Sequence, residues 1–209
     1  ANPFTTTRPA VTFDDRQQFL LLDEEFSDET FIADVTVNYD FGNMDFTSIT
    51  SFVQRNILAS RDASALTGSV SVDLGYPDAA VILPSNLRDT TDLEQITQEV
   101  RLASDTESPF QWLIGAFYSE VDRVYAQRLP TPGYDAALGG TSATAGTIFP
   151  PNSPYNSDLP YDIKQFAIFG EASYDVTDAL TVTAGGRWYD FEEERAFVSG
   201  GAFSNNDNR

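Results

Sequence analysis

The chain has 209 residues and a formal net charge of −20, from 12 Lys and Arg against 32 Asp and Glu. This balance excludes a cationic nucleic-acid surface, because phosphate binding needs a basic footprint. The absence of His and Cys excludes disulfides, Cys/His zinc sites, and Ser-His-Asp or Cys-His catalysis. We therefore expect no nucleic-acid partner and no cofactor.

Membrane helices are not expected either, since no stretch approaches the ~18–20 apolar residues that a spanning helix needs. The first residues, ANPFTTTRPA, lack the basic and apolar regions of a secretory signal. The mean hydropathy of −0.27 does not exclude a membrane β-barrel, because polar residues facing the lumen offset apolar residues facing lipid.

The first predicted hairpin covers residues 30–55. Apolar and polar residues alternate along 31–40, with Val35, Val37 and Tyr39 on one face. A turn near residues 41–43 leads into a second alternating segment. Alternation of this kind places successive side chains on opposite faces of a strand, so two such runs joined by a short turn predict a β-hairpin.

Two further hairpins are predicted at 96–123 and 163–191. Both alternate in the same way, and their turns take roughly three to five residues, as is usual for hairpins. The alternation has exceptions, because Leu113, Phe117 and Phe169 fall on the otherwise polar face. No long amphipathic helix is predicted.

The connections between hairpins, 56–95 and 124–162, are long. The end segments 1–29 and 192–209 lie on the same side of the meander as these loops. Short turns at one end and long loops at the other are typical of a transmembrane barrel. The predicted fold class is therefore all-β, an antiparallel meander of about six strands that forms part of a large transmembrane β-barrel with long extracellular loops.

Aromatic spacing supports this prediction. Phe166 and Tyr174 lie eight residues apart on one face, and Phe110 and Tyr118 repeat the interval. For tilted strands this interval is roughly 20 Å along the membrane normal, which suits rings at two membrane interfaces. One alternative is a soluble, carbohydrate-binding β-sandwich with these rings in a dry core. Another is a small porin-like barrel, which needs at least eight strands.

Three blocks of sequence resemble the barrel of TonB-dependent outer-membrane receptors. TQEVRLAS followed by SPFQWLIGAFYSEVDR is similar to a hairpin from the middle of that barrel. QFAIFGEASYDVTDALTVTAGGRWYDFEEER resembles a later hairpin, and DVTVNYDFGNMDFTSITSFVQR an earlier one. The family's barrel has about 22 strands and a plug domain, so the resemblance implies a portion of a larger receptor.

That resemblance implies a transporter and not an enzyme, located in the bacterial outer membrane. The implied ligand is a scarce nutrient: a siderophore, cobalamin, or an oligosaccharide or other small molecule. Implied partners are outer-membrane lipid and the TonB complex, which would be contacted through parts of the receptor outside this sequence. The net negative charge argues against a strongly anionic ligand unless a metal compensates.

Candidate ligand-binding residues are aromatic side chains in or beside the second long loop. A sugar or an aromatic chelator stacks well on such rings, whereas the alternative is that they pack the loop onto its neighbours. These candidates are Tyr125, Tyr134, Tyr155 and Tyr161.

Charged residues on the polar face of the predicted strands are the second group of candidates. They would face the lumen and line a substrate path or contact a plug. Alternatively, opposite charges on neighbouring strands pair across the sheet. These residues are Glu99, Arg101, Glu171 and Arg187. No catalytic or metal-ligating set is predicted; acidic clusters such as 23–25 could hold calcium, but they lack EF-hand spacing.

Overall fold

The computed structural model describes residues 14–15, 20–139 and 149–204. Six strands follow one another across a single antiparallel sheet, in chain order. They are β1 (Glu25–Asp40), β2 (Met44–Asp62), β3 (Asn86–Ser104), β4 (Phe110–Arg128), β5 (Asn156–Thr177) and β6 (Leu180–Arg195), and a short β7 (Val198–Gly200) pairs with the start of β5. The predicted all-β meander of six strands is confirmed.

Strand β7 continues the line of β6. Arg195 is paired with Tyr161, and Val198 with Asp158, so both strands keep one register along β5. Pro160 lies between these pairs and has no N–H to donate to the ladder. Its carbonyl oxygen still accepts a hydrogen bond from the Ala196 N–H at 3.2 Å, which bridges the interruption.

The sandwich alternative is wrong. It placed four apolar side chains in a dry core between two sheets, whereas the described residues form one sheet. The same side chains are among the exposed ones, with Phe166 at 44%, Ile168 at 50%, Tyr174 at 51% and Trp188 at 57%. The small-barrel alternative also lacks support, because the sheet of the described residues is open, running from β1 to β6.

The strands are longer than the predicted hairpins. Residues 56–62 and 86–95, predicted as loop, belong to β2 and β3, and residues 124–128 and 156–162 belong to β4 and β5. Crossing a bilayer takes ~9–11 tilted residues, whereas each of β2, β3 and β4 has 19. Each of these strands is therefore about twice as long as one crossing of a bilayer needs.

The end segments also differ from prediction. Residues 25–29 begin β1 and residues 192–195 end β6. The rest of segment 1–29 lies largely outside the described residues, as do positions 205–209 and part of the second long loop, 140–148.

At the opposite end, tight turns join the strands and are tied to one another. The β1–β2 turn has Gly42 at φ +89°, a conformation that glycine adopts without steric cost. The Asp105 N–H donates to the Asn43 carbonyl at 3.0 Å, and the Asp175 N–H to that of Pro109 at 2.9 Å. These bonds extend the sheet ladder into the turns.

The enclosed core lies at the loop end of the sheet. The described parts of connections 63–85 and 129–155 contain three helices, α1 (Ser64–Asp73), α2 (Asp78–Val81) and α3 (Tyr134–Ala137). No helix among the described residues is long and apolar enough to cross a membrane. Tyr134, Val81, Thr67 and Thr131 are fully buried here. We call this packed unit, together with residues 198–204, the loop cap.

Close packing inside the sheet generates a stability prediction at Gly115. A Cβ there would lie 2.7 Å from Cε2 of Phe169 and 2.8 Å from the Val100 carbonyl oxygen. The backbone oxygen cannot move away, so Gly115→Ala should destabilise the sheet by ~1–3 kcal/mol, as overpacking does. We expect a lower denaturant midpoint for the full receptor in detergent.

Gly186→Ala is the matched control, because nothing lies within 4 Å of a Cβ at that position. Its midpoint should stay close to that of the unsubstituted receptor. Equal loss of stability in both variants would contradict the packing assigned to Gly115.

Candidate functional site: the two sheet faces and the loop cap

The register separates the sheet into two chemically different faces. On one face, four neighbouring strands contribute a row of apolar residues: Val100, Ala116, Ile168 and Trp188. One residue along, Arg101, Gly115, Phe169 and Arg187 are neighbours on the other side. We call these the apolar face and the polar face.

Rings border the apolar face at two levels. Phe166 and Trp188 meet edge-to-face near the loop side, with ring centroids 6.4 Å apart. Near the turns, Tyr39 and Phe41 make a similar contact at 4.7 Å, and exposed Tyr174 lies at the same end of β5. Aromatic rings at two levels, with the amphipathic Trp188 and Tyr39 among them, are typical of a bilayer-facing surface.

The apolar band is inclined relative to the strand register. On β1 the upper aromatic ring of the band is Phe31. Following the residue pairs from strand to strand, Phe31 is level with Asp162 on β5. Asp162 lies four residues from Phe166, the upper ring on β5. A shift of this size over four strand pairings is the stagger that tilted barrel strands show.

Acidic side chains follow directly beyond the upper rings. On the apolar face, Glu120, Asp122, Asp162 and Glu192 occupy the positions between the rings and the loop cap. Lys164 lies among them, with its ammonium 3.6 Å from a Glu120 carboxylate oxygen. The apolar character therefore ends abruptly at the level of Phe166.

The four predicted charges lie on the polar face, where they form one ion pair. The Arg101 guanidinium contacts the Glu99 carboxylate on its own strand. Glu171 and Arg187 form no ion pair with any described residue. The alternative of charges paired across neighbouring strands is therefore not what the sheet shows for these four residues.

Arg187 instead lies over two phenyl rings. Its guanidinium carbon is 5.4 Å from the Phe117 ring centroid and 5.6 Å from that of Phe169. Such contacts attract a cation to the ring face. The Phe169 ring itself lies across Gly115, where no side chain intervenes.

The polar face has an open cavity of about 640 Å³ beside this cluster. Gly185, which has no side chain, leaves space between Glu171 and Arg187. Leu113, Phe169 and Thr183 complete its side-chain lining. The cavity thus combines an apolar wall with one anionic and one cationic group.

The four candidate tyrosines do not form one group: Tyr125 lies near Tyr155 and is a diagonal neighbour of Tyr161, whereas Tyr134 is separate from them. Tyr134 is fully buried in the loop cap, so a ligand cannot stack on it in this conformation. Tyr125 and Tyr161 lie on the polar face of β4 and β5, where the Arg123 guanidinium is 5.7 Å from the Tyr161 ring centroid. Tyr155 is half-buried just before β5. The loop-packing alternative therefore describes Tyr134.

Tyr134 holds two loops and the chain beyond β7 together. Its hydroxyl is 2.7 Å from Ser71 Oγ on α1. Since the Ser71 hydroxyl donates to the Thr67 carbonyl, the tyrosine hydroxyl is the donor in this pair. Its ring meets Tyr76 and Phe203 edge-to-face, at centroid distances of 6.4 and 5.8 Å. Burial raises the pKa of Tyr134 to about 12.

A metal site does not emerge from the described part of the chain, where no group of three acidic side chains is placed to hold an ion. In the acidic N-terminal region, Asp28 makes a two-point hydrogen bond with Arg55, at 2.9 and 2.5 Å. That carboxylate is engaged by a protein cation.

Comparison with known proteins assigns the family. The family model described as "TonB dependent receptor-like, beta-barrel" matches residues 1–209. The chain belongs to this family. Among solved structures, the fold is similar to the ferric yersiniabactin uptake receptor FyuA from Yersinia pestis, with a TM-score of 0.56 at 10% identity. No curated protein sequence matches the chain.

The chain corresponds to part of such a receptor. The similarity covers 85% of this chain and 25% of the FyuA chain. TonB-dependent receptors are outer-membrane transport proteins, and their β-barrel has one face toward lipid and one toward the lumen. The two faces of the described sheet have the contrast in polarity that the wall of such a barrel requires.

Sequence reasoning missed several residues of these sites. Arg123 was not selected, although its parity with Gly115 and Phe117 places it on the polar face. Phe117 and Phe169 were noted only as exceptions to the alternation, and that irregularity was the available signal. Tyr76 and Phe203 had no such signal, because their contact with Tyr134 depends on how the loops fold.

Ionisation of Tyr134 should open the loop cap. Below pH 10, the ordinary pKa of a tyrosine, the phenol is neutral in both closed and open states. Between pH 10 and about 12 only the open state ionises, so the closed state loses stability as pH rises. Proteolysis of residues 63–85 by a protease active at alkaline pH should accelerate across this interval.

Tyr134→Phe is the control for that experiment. The phenyl ring keeps the contacts with Tyr76 and Phe203 but cannot ionise, so its proteolysis should lack the added acceleration between pH 10 and 12. The same pH dependence in both proteins would refute the role given to this hydroxyl.

Proposed function

We propose that this chain is part of the barrel of a receptor that binds a scarce nutrient at the cell surface and imports it with energy from the TonB complex. The carrying observation is the single sheet with an exposed apolar band on one face and a more polar opposite face, which carries Arg, Glu, Gln and Thr side chains among fewer apolar ones such as Tyr189 and Phe191. The apolar face would contact outer-membrane lipid, and the polar face would line the lumen.

In this arrangement the loop cap faces the outside of the cell. Long connections lie at that end and tight turns at the other, as in outer-membrane barrels. The cap buries its own side chains, and the long upper halves of β2 to β5 raise it above the bilayer. Ligand would meet this raised wall, including Tyr125 and Tyr161, before reaching the lower lumen.

Candidate nutrients are siderophores, cobalamin and oligosaccharides. FyuA is by its name an uptake receptor for ferric yersiniabactin, but at 10% identity this likeness supports the fold and not a ligand. The mechanism requires binding and conformational change without covalent chemistry. The loop segments 63–85 and 129–155 would form part of the outer vestibule.

Uptake measurements test this function. Cells expressing the full receptor would be given a labelled member of each nutrient class, in the presence and absence of functional TonB. We expect uptake of one class and its loss without TonB. Uptake that persists without TonB would instead identify a passive channel, and uptake of none would refute the import of these nutrients.

Spin labels test the orientation of the sheet. This chain has no cysteine, so Ile168→Cys and Gln165→Cys each add a single attachment point to it. In the full receptor freed of any other cysteine, the label at 168 should be relaxed by oxygen, which concentrates in lipid. The label at 165 should be relaxed by a water-soluble nickel chelate; the reverse pattern would contradict the assigned faces.

A further inference from the structure

We propose that the Asp62 carboxylate couples the segment ahead of β1 to both long loops, so that these three parts of the chain open together. Asp62 is the last residue of β2, where the chain enters the loop cap. We call residues 20–24 the leading segment. The inference concerns contacts within the described chain, and it does not depend on which nutrient the receptor takes.

One oxygen of the Asp62 carboxylate holds the leading segment. The Leu21 N–H donates to Asp62 Oδ2, and the Leu22 N–H donates to the same oxygen at 3.2 Å. In the opposite direction, the Asp62 N–H donates to a Glu24 carboxylate oxygen at 3.2 Å. These three bonds fasten the leading segment to the upper end of β2, although about 40 residues separate them in the chain.

The other carboxylate oxygen holds the start of the loop cap. Asp62 Oδ1 accepts from the Ser64 N–H at 2.8 Å and also from the Ser64 hydroxyl. Ser64 is the first residue of α1 and is buried, and an N–H at this position has no carbonyl partner within its own helix. A single carboxylate therefore binds two separate segments, one with each oxygen.

This carboxylate is ionised at neutral pH. Burial raises the pKa of Asp62, but the hydrogen bonds from Ser64 and from the leading segment together outweigh it and hold the pKa below its ordinary value. Hydrogen bonds to an ionised acceptor are stronger than those between neutral groups. Asp62 is therefore the strongest point of attachment in this part of the chain.

Buried hydroxyl groups extend the connection to the second long loop, 129–155. Since the Ser64 hydroxyl donates its proton to Asp62, its oxygen accepts from the Ser85 N–H, at 3.0 Å. The Ser85 hydroxyl lies 2.8 Å from that of Thr131. Because the Thr131 hydroxyl donates to the Leu129 carbonyl, Ser85 is the donor in this pair. Ser85 and Thr131 are fully buried, so bulk water does not compete with these bonds.

Each bond in this chain of hydrogen bonds supports the next. The carboxylate fixes the direction of the Ser64 hydroxyl, and that direction leaves an acceptor for Ser85. Loss of the carboxylate would leave the Ser64 donors unsatisfied in a buried position, which costs more than the bond itself. Bonds in a buried network also polarise one another. The leading segment, α1 and the start of the second loop should thus open as one cooperative unit.

Hydrogen exchange of the full receptor, followed by mass spectrometry, tests the coupling. Asp62→Ala should raise the exchange rate by about tenfold or more in the leading segment and in the first turn of α1, because charge-assisted bonds are lost there. In residues 129–132, which are connected through neutral bonds, it should raise the rate by about threefold or more. Asp73→Asn is the matched control: it removes an exposed carboxylate at the end of α1 and should leave the leading segment and 129–132 unchanged.

Two milder variants divide the chain of hydrogen bonds. The single carbonyl oxygen of Asp62→Asn can accept from one side only. We expect it to face the buried Ser64, so that exchange rises in the leading segment and stays unchanged in 129–132. Ser85→Ala removes the bond to Thr131, so exchange should rise in 129–132 and stay unchanged in the leading segment. In the Ser85→Ala background, Asp62→Ala should add nothing in 129–132.

Three results would overturn the inference. Faster exchange in the leading segment alone, in Asp62→Ala, would make Asp62 a local contact. Additive effects of Asp62→Ala and Ser85→Ala on 129–132 would show that the coupling does not pass through Ser85. Unchanged exchange in every segment of Asp62→Ala would show that these bonds hold nothing together. Slow exchange in the middle of β3 and β4 establishes that each variant is folded, and nutrient uptake is measured separately, so these results leave the import function standing.

Discussion

The pairing of backbone groups in a single sheet is the constraint on which this structure depends. An apolar environment offers no water to N–H and C=O groups, so each must be bonded within the protein. The ladder between β1 and β2 runs unbroken from Glu25 and Ser60 to Asp40 and Asp45. Between β5 and β6, an irregularity occurs only at Asp175 and Thr177, next to the turn. The regular register lets alternate side chains meet two different surroundings.

In a single sheet, no second layer packs against the middle of the strands to favour the correct register. A slip of one residue would turn Ile168 and Trp188 toward the polar side and Arg187 toward the apolar side. Register is therefore specified by the sequence along the whole middle of each strand. This explains why the strands could be predicted from alternation in segments such as 31–40, 96–104, 165–176 and 180–189, together with the short turns that join them in hairpins.

The upper strands and the loop cap could not be predicted, and the physical reasons differ. Segment 86–95 carries polar side chains on both faces, so no alternation marks the strand. Helix α1 buries Ser64, Thr67 and Ser71 while Leu66 is exposed, which inverts the usual amphipathic pattern. Tyr134 was predicted as a ligand contact because its partners Tyr76 and Phe203 come from distant parts of the chain.

Exceptions to the pattern were more informative than the pattern itself for locating the candidate cavity. Leu113, Phe117 and Phe169 each break the alternation on a different part of two strands, and the fold gathers them around Arg187. Residues that break an otherwise regular sequence pattern are expected at functional sites. Other apolar residues, such as Val121, Ile163 and Phe191, also lie on the polar face, so what distinguishes Phe117 and Phe169 is their contact with Arg187.

The distribution of charge also changes the inference about ligands. A net charge of −20 argues against an anionic substrate if the charge is treated as uniform. By register, however, Arg55, Arg101, Arg123, Arg187 and Arg195 all lie on the polar face. Acidic residues such as Glu120, Asp122 and Glu192 lie on the opposite face, above the rings. The polar face also carries carboxylates such as Asp34, Asp45 and Glu171, but it is less negative than the chain as a whole, so the net charge alone does not describe the surface that a ligand would meet.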